Sequence, residues 1–222
     1  MRGKFITFEG GEGTGKSTQV NLLANRLRAL GLGVVVTREP GGSAGAEAIR
    51  HVILSGAAKP LGPYAETLLF AAARADHVGQ TIEPALARGK WVLSDRFADS
   101  TRIYQGVLGN VDPRFIARLE RLTIAENAPD LTFVLDVPAE LGLERAKRRR
   151  GNGEVDRFEA EALDFHKKLR EAYVELAERE PARCVLIDAT PTAAAVSDAV
   201  WAVVNARLHP AEAPLLIEEG AR

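Results

Sequence analysis

Residues Gly10-Gly11-Glu12-Gly13-Thr14-Gly15-Lys16-Ser17 satisfy the spacing G-x-x-x-x-G-K-S and run on into Thr18. Such a run is suited to capturing a polyphosphate. Glycines let consecutive backbone N–H groups turn inward around phosphate oxygens, and a helix N-terminus adds partial positive charge. The lysine reaches the outer phosphates and the serine hydroxyl can ligate Mg²⁺. The motif needs a strand before it and a helix after it, and both are legible. Phe5 to Phe8 is apolar and β-rich; Val20, Leu23, Ala24, Leu27 and Leu30 recur at helical spacing, and Gly31 stands where a helix C-cap would fall. A chance glycine-rich turn is disfavoured by that context. A nucleoside triphosphate with magnesium is expected here, but the run does not identify a second substrate.

Three further places carry side chains that could act on such a ligand. Val92-Leu93-Ser94-Asp95 reads as a strand ending in an acid, and Arg96 follows it directly. An Asp at the carboxyl edge of a sheet faces the ligand crevice, where it can hold Mg²⁺ water or orient a nucleophile, while the Arg binds a phosphate. An internal ion pair is the competing reading. Thr37-Arg38-Glu39-Pro40-Gly41-Gly42 closes another strand. Pro40-Gly41 suits the centre of a type II turn, which would leave Arg38 at the same edge; a solvated loop arginine is the alternative. Phe70 and Arg74 are four apart, on one face of a helix with only alanines between them. A flat ligand could lie on the ring with the guanidinium at its edge, or the pair could be core plus rim. The segment Asp99-Ser100-Thr101-Arg102-Ile103-Tyr104-Gln105-Gly106 then offers hydroxyls, an amide and a ring in excess of what a loop needs.

The elements that must position these groups alternate along the chain. Short strands are expected at Phe5–Phe8, Val34–Thr37, Trp91–Ser94, Leu131–Asp136 and Cys184–Ile187. Four of the five are nearly all apolar, which is how a strand reads when helices cover both faces of a parallel sheet. Helical patterns occupy about 44–54, 64–88, 113–127, 139–150, 158–180 and 192–207. The fold class is therefore α/β: three layers with a five-stranded parallel sheet flanked by helices. No internal repeat or low-complexity linker divides the chain, so one domain is expected over 1–209, with a tail at 210–222 that contains Pro210 and Pro214.

Composition narrows the class of ligand. The 222 residues include 29 Lys+Arg against 30 Asp+Glu, a net charge of -1, so no global field gathers nucleic acid or anionic lipid, and anion binding must be local. No uninterrupted apolar run approaches the length of a membrane span, and the stretch after Arg2 and Lys4 stops at Glu9, too short for a signal-peptide core. The single Cys184 sits in an apolar run and reads as a core residue of a cytoplasmic protein, with neither disulfide nor zinc site to serve. A GTPase would carry Asn-Lys-x-Asp near a later strand, and many helicase or transporter ATPases would carry Asp-Glu where Asp95-Arg96 stands; neither pattern is present.

Together these pieces resemble the thymidylate kinase family of nucleoside-monophosphate kinases. The resemblance runs in order through Phe8-Glu9-Gly10 to Ser17, Thr37-Arg38-Glu39-Pro40-Gly41-Gly42-Ser43, Phe70 to Arg74, and Ser94-Asp95-Arg96-Phe97. It continues through Ser100-Thr101 with Tyr104-Gln105-Gly106, Pro129-Asp130-Leu131-Thr132 with Leu135-Asp136-Val137, and Asp156-Arg157-Phe158-Glu159. It implies a P-loop kinase fold that transfers the ATP γ-phosphoryl group to dTMP, giving dTDP for dTTP biosynthesis, with Mg²⁺ as cofactor and Ser17 and Asp95 as its protein ligands, Asp95 through water. Gly10, Gly11, Glu12, Gly13, Thr14, Gly15, Lys16, Ser17 and Thr18 would hold ATP. Glu12, Arg38, Phe70, Arg74, Arg96, Ser100, Thr101, Tyr104 and Gln105 would hold dTMP. In that scheme Arg38 and Arg96 clamp the acceptor phosphate, Phe70 stacks on thymine, Arg74 with Ser100 or Thr101 reads the base edge, and Tyr104 crowds the sugar 2′ position. Lys16, Asp95, Arg96, Arg149 and Arg157 would be catalytic.

The run Glu144-Arg145-Ala146-Lys147-Arg148-Arg149-Arg150 ends in Gly151-Asn152-Gly153. Such a run is often a solvated face or a nucleic-acid patch. Its resemblance is to the arginine-rich lid of bacterial family members, here about 145–157, which would close guanidinium groups over the transferring phosphate and exclude water. A homodimer, and neither nucleic acid nor membrane as a partner, complete what the resemblance implies. Two other readings stand beside it: a kinase for a different small acceptor such as dUMP or dCMP, and a regulatory NTP-binding switch whose arginine run meets a partner.

Overall fold

The computed structural model describes residues 2–151, 158 and 160–210. Five strands, β1 (Phe5–Glu9), β2 (Val34–Arg38), β3 (Trp91–Asp95), β4 (Leu131–Asp136) and β5 (Cys184–Asp188), form one parallel sheet in the order β2-β3-β1-β4-β5. Between them run α1 (Lys16–Ala29), α2 (Ala44–Leu54), α3 (Gly62–His77), α4 (Glu83–Ala87), α5 (Ala98–Thr101), α6 (Pro113–Ile124), α7 (Ala139–Arg150), α8 (Leu163–Arg179) and α9 (Ala193–Leu208). Chain connection reverses on either side of β1, so the crevice at the carboxyl ends of β1, β3 and β4 is where such a sheet receives a ligand.

Strand alternation decides which groups face which layer. Ile6, Phe8, Trp91, Leu93, Leu131, Phe133 and Leu135 pack on Val20, Leu23, Ala24 and Leu27 of α1 and on Val196, Val200 and Val204 of α9. On the opposite face Phe5 and Val92 meet Val78, Ile82, Leu86 and Phe97, while Val134 and Cys184 meet Leu169, Ala172 and Tyr173 of α8. Cys184 is buried there as expected, and burial pushes its thiol up to about 12. Thr7 and Thr132, paired across β1 and β4, face each other with hydroxyls 2.7 Å apart.

Four of the five strands run one residue beyond the last β-rich position, and those extra residues are Glu9, Arg38, Asp95 and Asp188. Apolar patterning marks where a strand is covered; backbone pairing continues to the edge, where polar side chains can face the crevice. The helices show larger differences. The expected helix 64–88 is two, because a π-helical turn at Val78–Ile82 separates α3 from α4. Pro84, in the first turn of α4, has no N–H to donate to the preceding turn, and the ladder widens there. The polar segment after Asp95 is helical rather than a loop: α5 followed by a π-helical turn over Arg102–Leu108. Helix α6 stops at Ile124, where Ala125 turns to φ 49, and α8 begins at Leu163 after an extended Ala162. The reversal after β2 is built on a cis Glu39–Pro40 peptide with Gly41 at φ 128, not on a type II turn, whose glycine would sit near +80°.

Glu9, at the end of β1, is fully buried on the α8 side and holds three elements together. Its carboxylate accepts from Phe97 N (2.8 Å) and Ser100 N (3.3 Å) at the start of α5, from Ser100 Oγ (2.7 Å), and from Tyr173 OH (2.9 Å) of α8. Burial, with Asp99 nearby, raises its pKa to about 7 against the opposing pull of Arg96 and of its hydrogen bonds.

A carboxyl with its folded pKa raised binds its proton more tightly than the unfolded chain does. Its contribution to stability is complete below about pH 4.5 and lost as pH rises through about 7. The difference in melting temperature between wild type and Glu9→Gln should therefore move against wild type from about pH 5 to about pH 8, as measured by thermal unfolding across that range. Close backbone packing gives a second prediction. A Cβ on Gly142 would meet the Glu12 carbonyl oxygen at 2.5 Å. Helix propensity favours Ala over Gly by only about 1 kcal/mol, and a backbone clash of this depth costs more. Gly142→Ala should lower thermal stability and weaken nucleotide binding at the loop, which calorimetry with an ATP analogue would show.

Candidate active site

The phosphate loop is shaped by glycines where the backbone demands them. Gly13 at φ 67 and Gly15 at φ 92 lie in the left-handed region, and a Cβ on Gly13 would sit 1.9 Å from the Gly142 carbonyl oxygen. Helix α1 starts at Lys16 with Gly15 as its N-cap and no capping side chain, which leaves its first N–H groups for an anion. Lys16 is buried, and its ammonium donates to the carbonyls of Gly10 (3.0 Å) and Gly11 (2.6 Å), so it is held within the loop. Burial, with Arg96 close by, pulls its pKa down to about 8.

A cleft of about 340 Å³ opens in front of the loop. On the loop side it is lined by Glu12, Gly13, Gly15, Lys16, Ser17 and Thr18, and on the far side by Arg38, Phe70, Arg74, Ser100, Tyr104 and Gln105, with Asp95, Arg96 and Arg149 between. Fifteen of the residues singled out from sequence thus share one cavity. Gly10, Gly11 and Thr14 are not among its lining residues and bound instead a small void against β4 and α8. Thr101 is also behind the wall: it is buried and accepts from Arg74 Nη2 at 3.0 Å. Arg157, with Asp156 and Glu159, lies outside the described residues.

The far wall is braced by buried ion pairs. Arg74 is almost fully buried, and its Nε donates to Glu39 Oε2 at 2.8 Å, while Nη2 donates to the Phe97 carbonyl at 3.2 Å. The other oxygen of Glu39 lies 3.0 Å from His77 Nδ1, whose Nε2 is 2.7 Å from Thr37 Oγ1. Removing Arg74 would leave Glu39 charged without its main partner inside the protein, a loss of about 3–5 kcal/mol for pairs of this kind. Gln105 is buried and donates to Glu66 Oε1 at 3.0 Å. Arg38 is exposed at the rim and pairs with Glu47 at 3.1 Å; Gly42 N also donates to Glu47, and the backbone N–H and Arg38 hold that carboxyl below its usual range.

Arg96 occupies the centre. Its Nη2 meets Glu12 Oε1 at 2.6 Å, and its Nη1 reaches the Gly10 carbonyl at 3.2 Å and the hydroxyls of Ser100 and Tyr173 at 3.4 Å each. The guanidinium also lies over the Tyr104 ring, 5.2 Å from its centroid. Its backbone is at φ 69, a left-handed conformation costing a β-carbon residue about 1–2 kcal/mol, which the surrounding contacts must offset. Burial opposes ionisation of Glu12, yet Arg96, Lys16, Arg149 and His166 outweigh it and hold that carboxyl below its usual range. Of the arginine run, Arg149 is the member that lines the cleft. Arg145 is committed to the carbonyls of Ala189 and Thr190, both at 2.8 Å, and Arg148 to Glu144.

Ser17 Oγ donates to the Asp95 carboxylate, putting two hard oxygen groups side by side at the cleft. Among the described residues no group of three or more His, Cys, Asp or Glu is arranged to hold a metal. This donor set fits Mg²⁺, which keeps several waters and takes one or two protein ligands beside substrate phosphates.

Sequence reasoning missed several contributors. Arg50 and Leu54 of α2 line the cleft, and Arg50 donates to the Pro40 carbonyl at 2.5 Å. Their spacing of four was a visible signal, without a partner motif to give it meaning. Phe158 also lines the cleft and stands edge-on to Tyr104 at 5.2 Å. Glu9, inside the Phe8-Glu9-Gly10 match, was given no role, and Tyr173 carried no local signal, since the two meet only across the sheet-to-α8 interface. Asp99 and Arg102, grouped in sequence with the ligand-facing polar residues, are spent elsewhere: Arg102 bridges Asp99, Glu120 and Glu180, and Arg183 pairs with Asp99 at 2.7 Å.

Comparison with known proteins agrees with this geometry. A family model described as thymidylate kinase matches residues 8–200. The thymidylate kinase of Bradyrhizobium diazoefficiens is 60% identical over 215 residues, covering 97% of this chain and 94% of that protein; that of Rhodopseudomonas palustris strain BisB18 is 62% identical over 208 residues, covering 93% and 90%. Among solved structures, the crystal structure of thymidylate kinase from Ehrlichia chaffeensis superposes with a TM-score of 0.74 at 32% identity, covering 92% of this chain and all of that one. On fold, on ordered motifs and on full-length likeness, the chain is an enzyme, a phosphotransferase, and belongs to the thymidylate kinase family.

Proposed function

We propose that the cleft phosphorylates dTMP to dTDP at the expense of ATP, with the triphosphate on the loop at residues 10–18 and the monophosphate opposite it. The observation that carries this reading is the position of Arg96. Its guanidinium is fixed between the phosphate loop and the wall of Phe70 and Arg74, and Lys16 and Arg149 line the same cavity. Phosphoryl transfer asks chiefly that two polyanions be held in line while developing charge is neutralised.

An oxygen of the acceptor phosphate forms the new bond to the γ-phosphorus, and the bond from that phosphorus to the β–γ bridging oxygen of ATP breaks. A phosphate monoester has its second pKa near about 6, so above it the attacking oxygen carries no proton and needs no general base. The residues match that requirement: among the described residues six cations line the cleft, and of these Lys16, Arg38, Arg96 and Arg149 are the ones assigned to the phosphates. Lys16 holds the outer phosphates of ATP. Arg96, with Arg38 at the rim, holds the acceptor phosphate, and Glu12 fixes Arg96 and approaches the acceptor sugar. Phe70 supplies a stacking face for thymine and Arg74 a donor edge. Tyr104 crowds the sugar 2′ position, and Ser100 and Gln105 complete the wall, with Thr101 acting through Arg74. Mg²⁺, held by Ser17 and through water by Asp95, would screen charge on the ATP phosphates. Arg149 and Arg157 in the lid segment, about 145–157, would cover the transferring group.

In this reading residues 1–209 form one nucleoside-monophosphate kinase domain with a tail at 210–222, working in the cytoplasm as a homodimer, without nucleic acid or membrane as partner. No helix among the described residues is long and apolar enough to cross a membrane. The exposed Leu61, Tyr64 and Leu68 at and beside α3, with Leu122 on the adjoining α6, give a dimer an apolar face to cover.

Coupled ADP-release assays over a panel of dTMP, dUMP, dCMP and no acceptor test the assignment. Turnover should be highest with dTMP and negligible without acceptor, and Lys16→Ala should lower it by about 10³-fold or more. Preference for another acceptor, or hydrolysis indifferent to acceptor, would contradict the reading.

A further inference from the structure

Glu9 is fully buried and does not line the cleft, but it is one hydrogen bond from Ser100, which does. An ionised carboxylate can only accept. All four of its contacts are therefore donors: the N–H groups of Phe97 and Ser100 to Oε1, and the hydroxyls of Ser100 (2.7 Å) and Tyr173 (2.9 Å) to Oε2. Each hydroxyl has one proton. With that proton committed to Glu9, the remaining lone pairs of both oxygens are available to the Nη1 of Arg96, which lies 3.4 Å from each.

We propose that Glu9 is a positioning residue for acceptor binding: by fixing which way the Ser100 and Tyr173 hydroxyls point, it makes them acceptors for Arg96 and holds that guanidinium where the monophosphate must meet it. The proposal rests on the role given above to Arg96. Arg96 offers only donors, so it cannot take up the hydroxyl protons; Glu9 supplies the acceptor to which they turn. The Arg96 backbone N–H is tied to the Phe8 carbonyl of β1 at 2.9 Å, and beyond Cα these hydroxyls, the Glu12 pair, the Gly10 carbonyl and the Tyr104 ring set the place of its guanidinium. Tyr173 stays protonated, since burial and the charge of Glu9 raise its pKa well above the ordinary value, so its proton remains available for Glu9.

The isosteric change separates this role from packing. In Glu9→Gln the amide oxygen still serves the two backbone N–H groups, but the NH₂ now donates towards Ser100 and Tyr173. Their protons must turn away from the amide; the two oxygens are 3.0 Å apart, so one can donate to the other, but a proton turned towards Arg96 costs Nη1 an acceptor. Tyr173→Phe removes one of those acceptors with almost no change in volume.

Steady-state kinetics at about pH 8, where Glu9 is ionised, test the proposal. Glu9→Gln should raise KM for dTMP about tenfold, and Tyr173→Phe about threefold, each leaving KM for ATP within about twofold and lowering kcat less than KM rises. Arg96→Ala is the reference for the site itself. If Arg96→Ala raises KM for dTMP and neither Glu9→Gln nor Tyr173→Phe does, the Glu9 proposal is overturned while the site assignment stands. If Arg96→Ala leaves KM for dTMP unchanged, the site assignment fails and the proposal with it. Equal rises in both KM values, or a fall in kcat alone, would also overturn it. Should Glu9→Gln not fold, Tyr173→Phe decides by the same criteria.

Discussion

Two phosphate anions approach to bonding distance only if positive charge is already fixed between them, and fixing positive charge inside a protein requires carboxylates or other acceptors placed behind it. The architecture follows that constraint. Arg96 is pinned by Glu12 and by hydroxyls oriented on Glu9, and Arg74 is pinned by Glu39, which His77 and Thr37 support from behind. Lys16 is tied to the carbonyls of its own loop. Each cation is preorganised, so little reorganisation is left for the reacting complex.

The sheet makes this arrangement possible. Because β1 lies between β3 and β4, its carboxyl end delivers the phosphate loop, β3 delivers Asp95 and Arg96 beside it, and β2 delivers Arg38 and Glu39 next along. Alternation along β1 then sends Phe8 to the α1 layer and Glu9 to the α8 layer. One strand thus supplies both a core side chain and the buried carboxylate that ties Phe97 and Ser100 to Tyr173.

Most of the fold and much of the cleft were legible from sequence, for physical reasons. Buried parallel strands advertise themselves as apolar runs, and a phosphate loop needs glycines at fixed offsets, so both are written locally. Arg38, Arg96, Phe70 and Arg74 were found because they sit at strand ends or share a helix face. What escaped depended on distant partners. Glu9 looked like the residue that ended an apolar run, and nothing near it in sequence points to Tyr173. Thr101 was placed with the ligand-facing groups, whereas its hydroxyl is turned inward to Arg74. The breaks at Val78–Ile82 and Arg102–Leu108 escaped because a π-helical turn keeps the composition of a helix and changes only its hydrogen-bond ladder. The arginine run read as one lid, yet three-dimensional packing divides its members: Arg145 braces the β5–α9 turn and Arg149 enters the cleft.

The central claim is spatial, and a crystal structure of the enzyme with ADP and dTMP tests it most directly. The account predicts the dTMP phosphate within about 3 Å of the Arg96 guanidinium, thymine against Phe70, and the ADP phosphates on residues 10–18. A dTMP phosphate bound away from Arg96, with that guanidinium still paired to Glu12 and facing elsewhere, would contradict it.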